Sequence, residues 1–201
     1  MLSRAAGLHP LRPTRWCALI SGRGSNLAAL LEKPDSNVHL VMTTDLDAAG
    51  VAKARRAGIT VVEVPRKFTD EGVGKIDWAK LDAELEARSI DAVFLLGFMR
   101  IVPANFISRW EGRILNLHPS LLPAYPGLKS IERAVLDGAA CGPTIHEVVV
   151  EVDAGPLLTS RVSRVAGAAP MEIESVETLV HIDEQRLVKE IVEKWRPKKQ
   201  S

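Results

Sequence analysis

Three features of this 201-residue chain predict an α/β fold built on an open, mostly parallel, twisted sheet with helices on both faces. Short apolar runs recur without polar alternation, stretches with helical spacing separate them, and glycine or proline marks most junctions. A strand apolar at every position is buried on both faces, which a sheet covered by helices on both sides provides.

The first run, residues 16–21, starts the sheet and feeds a helical stretch at 26–32. Residues 38–43 read as the second strand, 48–57 as a helix and 60–64 as the third strand. The segment 65–75 is polar and contains glycine, the composition of an exposed loop. Residues 76–88 place apolar side chains at near-helical spacing, 92–96 is a buried strand, and 114–117 continues the sheet. After Gly142 the pattern changes to two β-rich runs, 145–152 and 157–165, joined by Asp153-Ala-Gly-Pro156 and read as a pair added at the far side of the sheet. A last helix spans about 173–195.

Composition bounds the function. Hydrophobic content of 46% in 201 residues suits one well-buried core, so a single domain over 16–196 is expected, with a disordered extension at 1–15 and a frayed end at 197–201. With 26 basic and 25 acidic residues the net charge is +1, which speaks against a nucleic-acid binder acting through bulk charge and favours a local site for a small anion. The longest apolar run, 92–99, is too short to span a bilayer, so no membrane partner is expected. Cys17 and Cys141 lack metal-type spacing and suit free thiols in a reducing, cytoplasmic compartment. The acid-free, Arg-containing first fifteen residues also read as an organelle transit peptide, although Pro10 and Pro13 interrupt any long helix there.

Candidate chemistry gathers where strands end. Ile114-Leu-Asn116-Leu-His118 runs into a proline-rich loop, and the period of two puts Asn116 and His118 on one side of the strand. An amide donor beside an imidazole can hold the oxygen of an acyl-transfer intermediate, or can simply cap a turn. Ser21-Gly-Arg-Gly-Ser-Asn26 lies between a strand and a helix, where glycine lets the backbone approach an anion. Leu27 stands where a dinucleotide fingerprint needs its third glycine, yet Asp45 and Asp47 keep a nicotinamide enzyme open. Asp153 beside His118 is expected to raise the histidine's pKa and keep it cationic near neutral pH. His118, His146 and Asp153 form an alternative two-histidine, one-carboxylate metal set. Leu96-Gly-Phe-Met-Arg100-Ile-Val102 mixes apolar side chains and free backbone groups, as suits a flat heterocycle, with Met99 and Ile101 on its faces; Phe98 and Met99 also read as core. His9, His39 and His181 read as surface or packing residues.

The ordered set Ala18-Leu-Ile-Ser-Gly-Arg-Gly-Ser-Asn26, Leu96 to Arg100, Asn116-Leu-His-Pro-Ser-Leu-Leu-Pro123, Gly142-Pro-Thr-Ile-His146 and Val152-Asp-Ala-Gly-Pro156 resembles the folate-dependent formyltransferases. Among them the chain is most similar to the small single-domain enzymes of purine synthesis, and the resemblance fades after about Arg164. It implies a Rossmann-like formyltransferase fold, 10-formyltetrahydrofolate as co-substrate, glycinamide ribonucleotide as acceptor and no metal. It implies that Asn116, His118 and Asp153 are catalytic, that Gly24, Ser25 and Asn26 hold the acceptor's phosphate, and that Met99, Arg100, Ile101 and Val102 line the folate pocket. Glu184 matches the glutamate directed at the nucleotide's ribose or glycinamide end. The chain departs from the family at Gln185 and Val188, at Lys129 to Arg133, where a His-rich segment is common, and at Gly74 or Lys75, where an arginine is usual. Those departures leave open another amine acceptor, including initiator methionyl-tRNA, and a catalytically idle binding module. The length argues against the tRNA enzyme and against a deformylating hydrolase, which carry further domains.

Overall fold

The computed structural model describes residues 13–67 and 74–197. Strand β1 (Trp16–Ile20), buried at every position, leads into helix α1 (Ser25–Leu31), and β2 (Val38–Thr43), α2 (Ala49–Arg56) and β3 (Thr60–Glu63) repeat the unit. A small antiparallel pair, β4 (Arg66–Lys67) and β5 (Lys75–Ile76), precedes α3 (Trp78–Ala87), β6 (Ala92–Leu95), α4 (Ala104–Arg109) and β7 (Ile114–His118). Helix α5 (Ser130–Leu136), strands β8 (Thr144–Glu147) and β9 (Leu157–Ser160), and the long α6 (Ile173–Lys194) follow.

The main sheet has the order β3-β2-β1-β6-β7-β8-β9, parallel from β3 to β7 and antiparallel at β8 and β9. Between β1 and β6 the order reverses, so the loops leaving these two strands diverge and open a crevice at their carboxyl ends. Alternation along β1 assigns the two core layers. Trp16, Ala18 and Ile20 pack with Leu27 and Leu30 of α1 and with Leu187, Val188 and Val192 of α6. Cys17 and Leu19 pack with Leu81 and Leu85 of α3 and with Phe106 and Ile107 of α4. A one-residue slip would send both sets to the wrong layer, and burial of each large side chain contributes roughly 1.5–3 kcal/mol.

Several boundaries differ from the sequence reading. Ile76 pairs with Arg66 in the hairpin, and the helix starts after Asp77, whose carboxylate accepts from Lys80 N at 3.2 Å as an N-cap. The run 145–152 is a strand only to Glu147. Beyond it the chain turns so tightly that a Cβ on Gly155 would lie 1.8 Å from Glu147 O, and Val150 and Val152 are exposed. Those valines line the cavity described below instead of a sheet face. The run 157–165 leaves the ladder after Ser160 except for one bridge between Cys141 and Arg164. Helix α4 has no counterpart in the sequence reading, being six residues long and held by the burial of Phe106 and Ile107. Residues 1–12 and 198–201 lie outside the described residues, and with them most of the expected extension and frayed end, His9 included; so do 68–73 of the expected loop. No helix among the described residues is long and apolar enough to cross a membrane.

Candidate active site

The eleven residues to which the resemblance gives a catalytic, nucleotide or folate role all line one cavity of about 900 Å³ at the crevice between β1 and β6. Its wall is made by Gly24, Ser25, Asn26 and Glu184, by Asn116, His118 and Asp153, and by Met99, Arg100, Ile101 and Val102.

Asn116 and His118 project from β7 as the period of two requires, and β8 sets His146 opposite Asn116. Asp153 sits in the turn after β8 with φ 56°, a left-handed conformation that aspartate tolerates better than a branched residue. Its two oxygens divide the neighbours. Oδ2 accepts from Gly127 N at 2.8 Å and lies 3.3 Å from His118 Nδ1; Oδ1 lies 3.4 Å from Asn116 Nδ2 and 3.5 Å from His146 Nε2. Burial alone would raise the Asp153 pKa, but the hydrogen bonds from His146 and Gly127 and the adjacent imidazoles outweigh it and hold the group below the ordinary 3.8.

His146 Nδ1 donates to the Glu147 carbonyl at 2.9 Å, and Nε2 lies 3.1 Å from Asn116 Nδ2.

His118 corrects an expectation. Its pKa is lowered, not raised: burial is the largest influence and outweighs the Tyr125 carbonyl and the Asp153 carboxylate, which both favour the cation. The ring is thus neutral near pH 7, with a single N–H. Both nitrogens face acceptors, Asp153 Oδ2 at 3.3 Å from Nδ1 and Tyr125 O at 3.1 Å from Nε2, so the neutral ring donates to one of them and its other nitrogen is the base. The 125–127 turn thus reaches both groups, through Tyr125 O and through Gly127 N.

Before α1, Gly24 has φ 62° and abuts Gly50, where an added Cβ would come 2.6 Å from Gly50 Cα. Only glycine fits this close crossing, which leaves the backbone before α1 open to an anion. Glu184, buried on α6, accepts at Oε2 from Asn26 Nδ2 at 2.9 Å and from His181 Nδ1 at 2.8 Å. His181, read from sequence as surface or packing, instead lines the cavity; its bond to Glu184 raises its pKa against the effect of burial. The i,i+3 spacing of His181 and Glu184 on a helix was the signal available in the sequence.

Along the third wall Met99 is 65% exposed and Ile101 is exposed, correcting the core reading of Met99, whereas Phe98 and Val102 are buried. Met99 N is fixed by Ser21 Oγ at 3.3 Å. Among the described residues no group of three His, Cys, Asp or Glu is arranged to hold a metal ion, and His118 and His146 address different oxygens of Asp153. Asp45 accepts from Asp47 N at 2.9 Å in a local turn. His39 stands beside Arg15, its Nε2 3.5 Å from the guanidinium.

The model of the formyl transferase family matches residues 14–192. Phosphoribosylglycinamide formyltransferase of Escherichia coli is 38% identical over 173 residues, 81% of this chain and 80% of that protein. The human trifunctional purine biosynthetic protein adenosine-3 is 40% identical over 153 residues, and the chain spans only 15% of its length. The crystal structure of phosphoribosylglycinamide formyltransferase from Anaplasma phagocytophilum superposes with a TM-score of 0.80 at 32% identity, covering 90% of this chain and 86% of that one. With the family model spanning 14–192 and relatives matched over most of both chains, the chain belongs to the formyl transferase family, in its phosphoribosylglycinamide formyltransferase branch.

Proposed function

We propose that the chain transfers the formyl group of 10-formyltetrahydrofolate to the primary amine of glycinamide ribonucleotide. The observation that carries this reading is the shared cavity: a glycine-containing backbone loop, a carboxylate–imidazole–amide cluster and an apolar wall all line it. Gly24, Ser25 and Asn26 take the phosphate. Glu184, with Oε2 spent on Asn26 and His181, offers Oε1 to the acceptor's hydroxyl or amine end. Met99 and Ile101 pack on the folate ring while the backbone of 97–102 reads its edge.

The chemistry divides among three side chains. As the acceptor amine attacks the formyl carbon, His118 takes the amine proton, and the imidazolium so formed has acceptors on both nitrogens, Asp153 and Tyr125 O. The side-chain amide of Asn116 donates to the charge building on the formyl oxygen. The proton then passes from His118 to the departing folate nitrogen as the carbon–nitrogen bond breaks, so the ring returns neutral. Asp153 orients the ring and offsets its transient charge. No step calls for a metal. Two buried free thiols support placing the enzyme in a reducing compartment, the cytoplasm.

A panel of primary amines offered with 10-formyltetrahydrofolate tests the acceptor. Glycinamide ribonucleotide should be formylated with the highest kcat/KM; preference for an unphosphorylated amine or for an aminoacyl-tRNA would revise the acceptor while keeping the chemistry.

A further inference from the structure

The 125–127 turn is held from outside the cavity. Arg133, on α5, donates to Pro126 O and lies over the Tyr125 ring, 5.7 Å from its centroid. Asp137, one turn on at the end of the same helix, accepts from the Tyr125 hydroxyl at 2.9 Å. Helix α5 thus grips the turn at two points, and between them Tyr125 O faces His118 Nε2 while Gly127 N bonds Asp153. The turn needs such a grip, because Tyr125 itself sits in the left-handed region at φ 56°.

We propose that Arg133 is a positioning residue for formyl transfer: by fixing the Pro126 carbonyl it keeps Tyr125 O and Gly127 N–H on the catalytic imidazole and carboxylate. It touches neither substrate. Its effect falls on the proton-accepting step, since Tyr125 O is the acceptor that the Nε2–H of His118 meets once the ring is charged. Arg133 also bears on His118 by its charge, which disfavours the imidazolium, but this influence on the ring is smaller than that of the Tyr125 carbonyl. Loss of the grip therefore makes His118 a weaker base overall, and loss of the charge only partly offsets that.

The inference rests on the formyl-transfer reading for its kinetic test and is independent of it for its titration test. In Arg133→Met, which keeps the stem but neither donor nor charge, kcat should fall about tenfold with both KM values within about twofold, as expected for a small misplacement of reacting groups. Arg133→Lys, which keeps a donor and the charge, should recover most of the loss. In the substrate-free protein, the His118 ring followed by NMR should titrate at lower pH in Arg133→Met than in wild type, and near the wild-type value in Arg133→Lys. Tyr125→Phe removes the other tether and should move turnover and titration in the same directions by about two- to threefold, so a poorly folded Arg133→Met leaves the inference testable. A His118 titration that rises in Arg133→Met means that Arg133 acts by charge alone and overturns the proposal, as does unchanged turnover in both variants. A wild-type protein that formylates no acceptor sinks the proposed function, and the titrations still decide the role of Arg133.

Discussion

Two histidine–carboxylate pairs line one cavity and behave oppositely. His118 lies 3.3 Å from Asp153 and is pushed toward neutrality; His181 lies 2.8 Å from Glu184 and is pushed toward the cation. The contacts differ in kind, a hydrogen bond to Glu184 being the largest influence on His181 and burial the largest on His118, and so do the surroundings. The His118 side chain is 8% exposed, that of His181 42%. Where solvent is excluded, the cost of burying charge outweighs a carboxylate at hydrogen-bond distance; where water still reaches the ring, the carboxylate decides. The first pair is thereby poised to accept a proton during chemistry, and the second to hold a fixed charge pattern for binding.

Substitutions should separate the two regions by their kinetics. His118→Ala removes the base, and turnover should fall by about 10²–10⁴-fold with KM little changed. Asp153→Asn should lower kcat comparably, because the amide no longer offsets the imidazolium. Loss expressed only in KM for either variant would break the assignment of this region to chemistry. Gly24→Val should instead act on binding. Its side chain would strike Gly50 and force the loop out of its left-handed turn, so KM for the phosphorylated acceptor should rise roughly 10–100-fold while KM for formyl folate holds. The same change applied to the dephosphorylated riboside should matter little.

The pH dependence sharpens the contrast. His118 works as the neutral base, so kcat should decline as pH falls through its lowered pKa, placing the acid limb below the ordinary imidazole value of 6.5. His181 runs the other way: its raised pKa means that the pair with Glu184 is complete below 6.5 and is lost as pH rises through the higher folded value. Acceptor KM, measured from pH 6 to 9, should drift upward over that upper window. His181→Asn should flatten the drift and raise KM by about two- to fivefold at low pH, the size expected of a partly exposed ion pair. A drift that persists in the variant would assign it to another group.

The parallel half of the sheet was legible because strands such as β1 and β6 are apolar at every position, which leaves few alternatives to double-sided burial. Asn116 and His118 were legible for a related reason, since a period of two can set two polar side chains together at a strand end. The run after Glu147 misled, because Val150 and Val152 are apolar for the sake of a cavity wall and not of a sheet face. Helix α4 is too short to impose a periodicity, and its anchors Phe106 and Ile107 matter only against α3 and the sheet. The charge state of His118 escaped for a deeper reason: sequence placed a carboxylate beside it but could not weigh that carboxylate against burial. His181 escaped because its partner lies a helical turn away and its role exists only once Asn26, far off in the chain, meets the same Glu184 oxygen.

The central claim is that this cavity moves a formyl group between two bound substrates. It is tested most directly by incubating the purified chain with 10-formyltetrahydrofolate, with and without glycinamide ribonucleotide, and following the absorbance of the deformylated folate together with the mass of the acceptor. The account predicts release of deformylated folate only when the acceptor is present, matched one for one by formylated product. Release at the same rate without acceptor, or none in its presence, would contradict it.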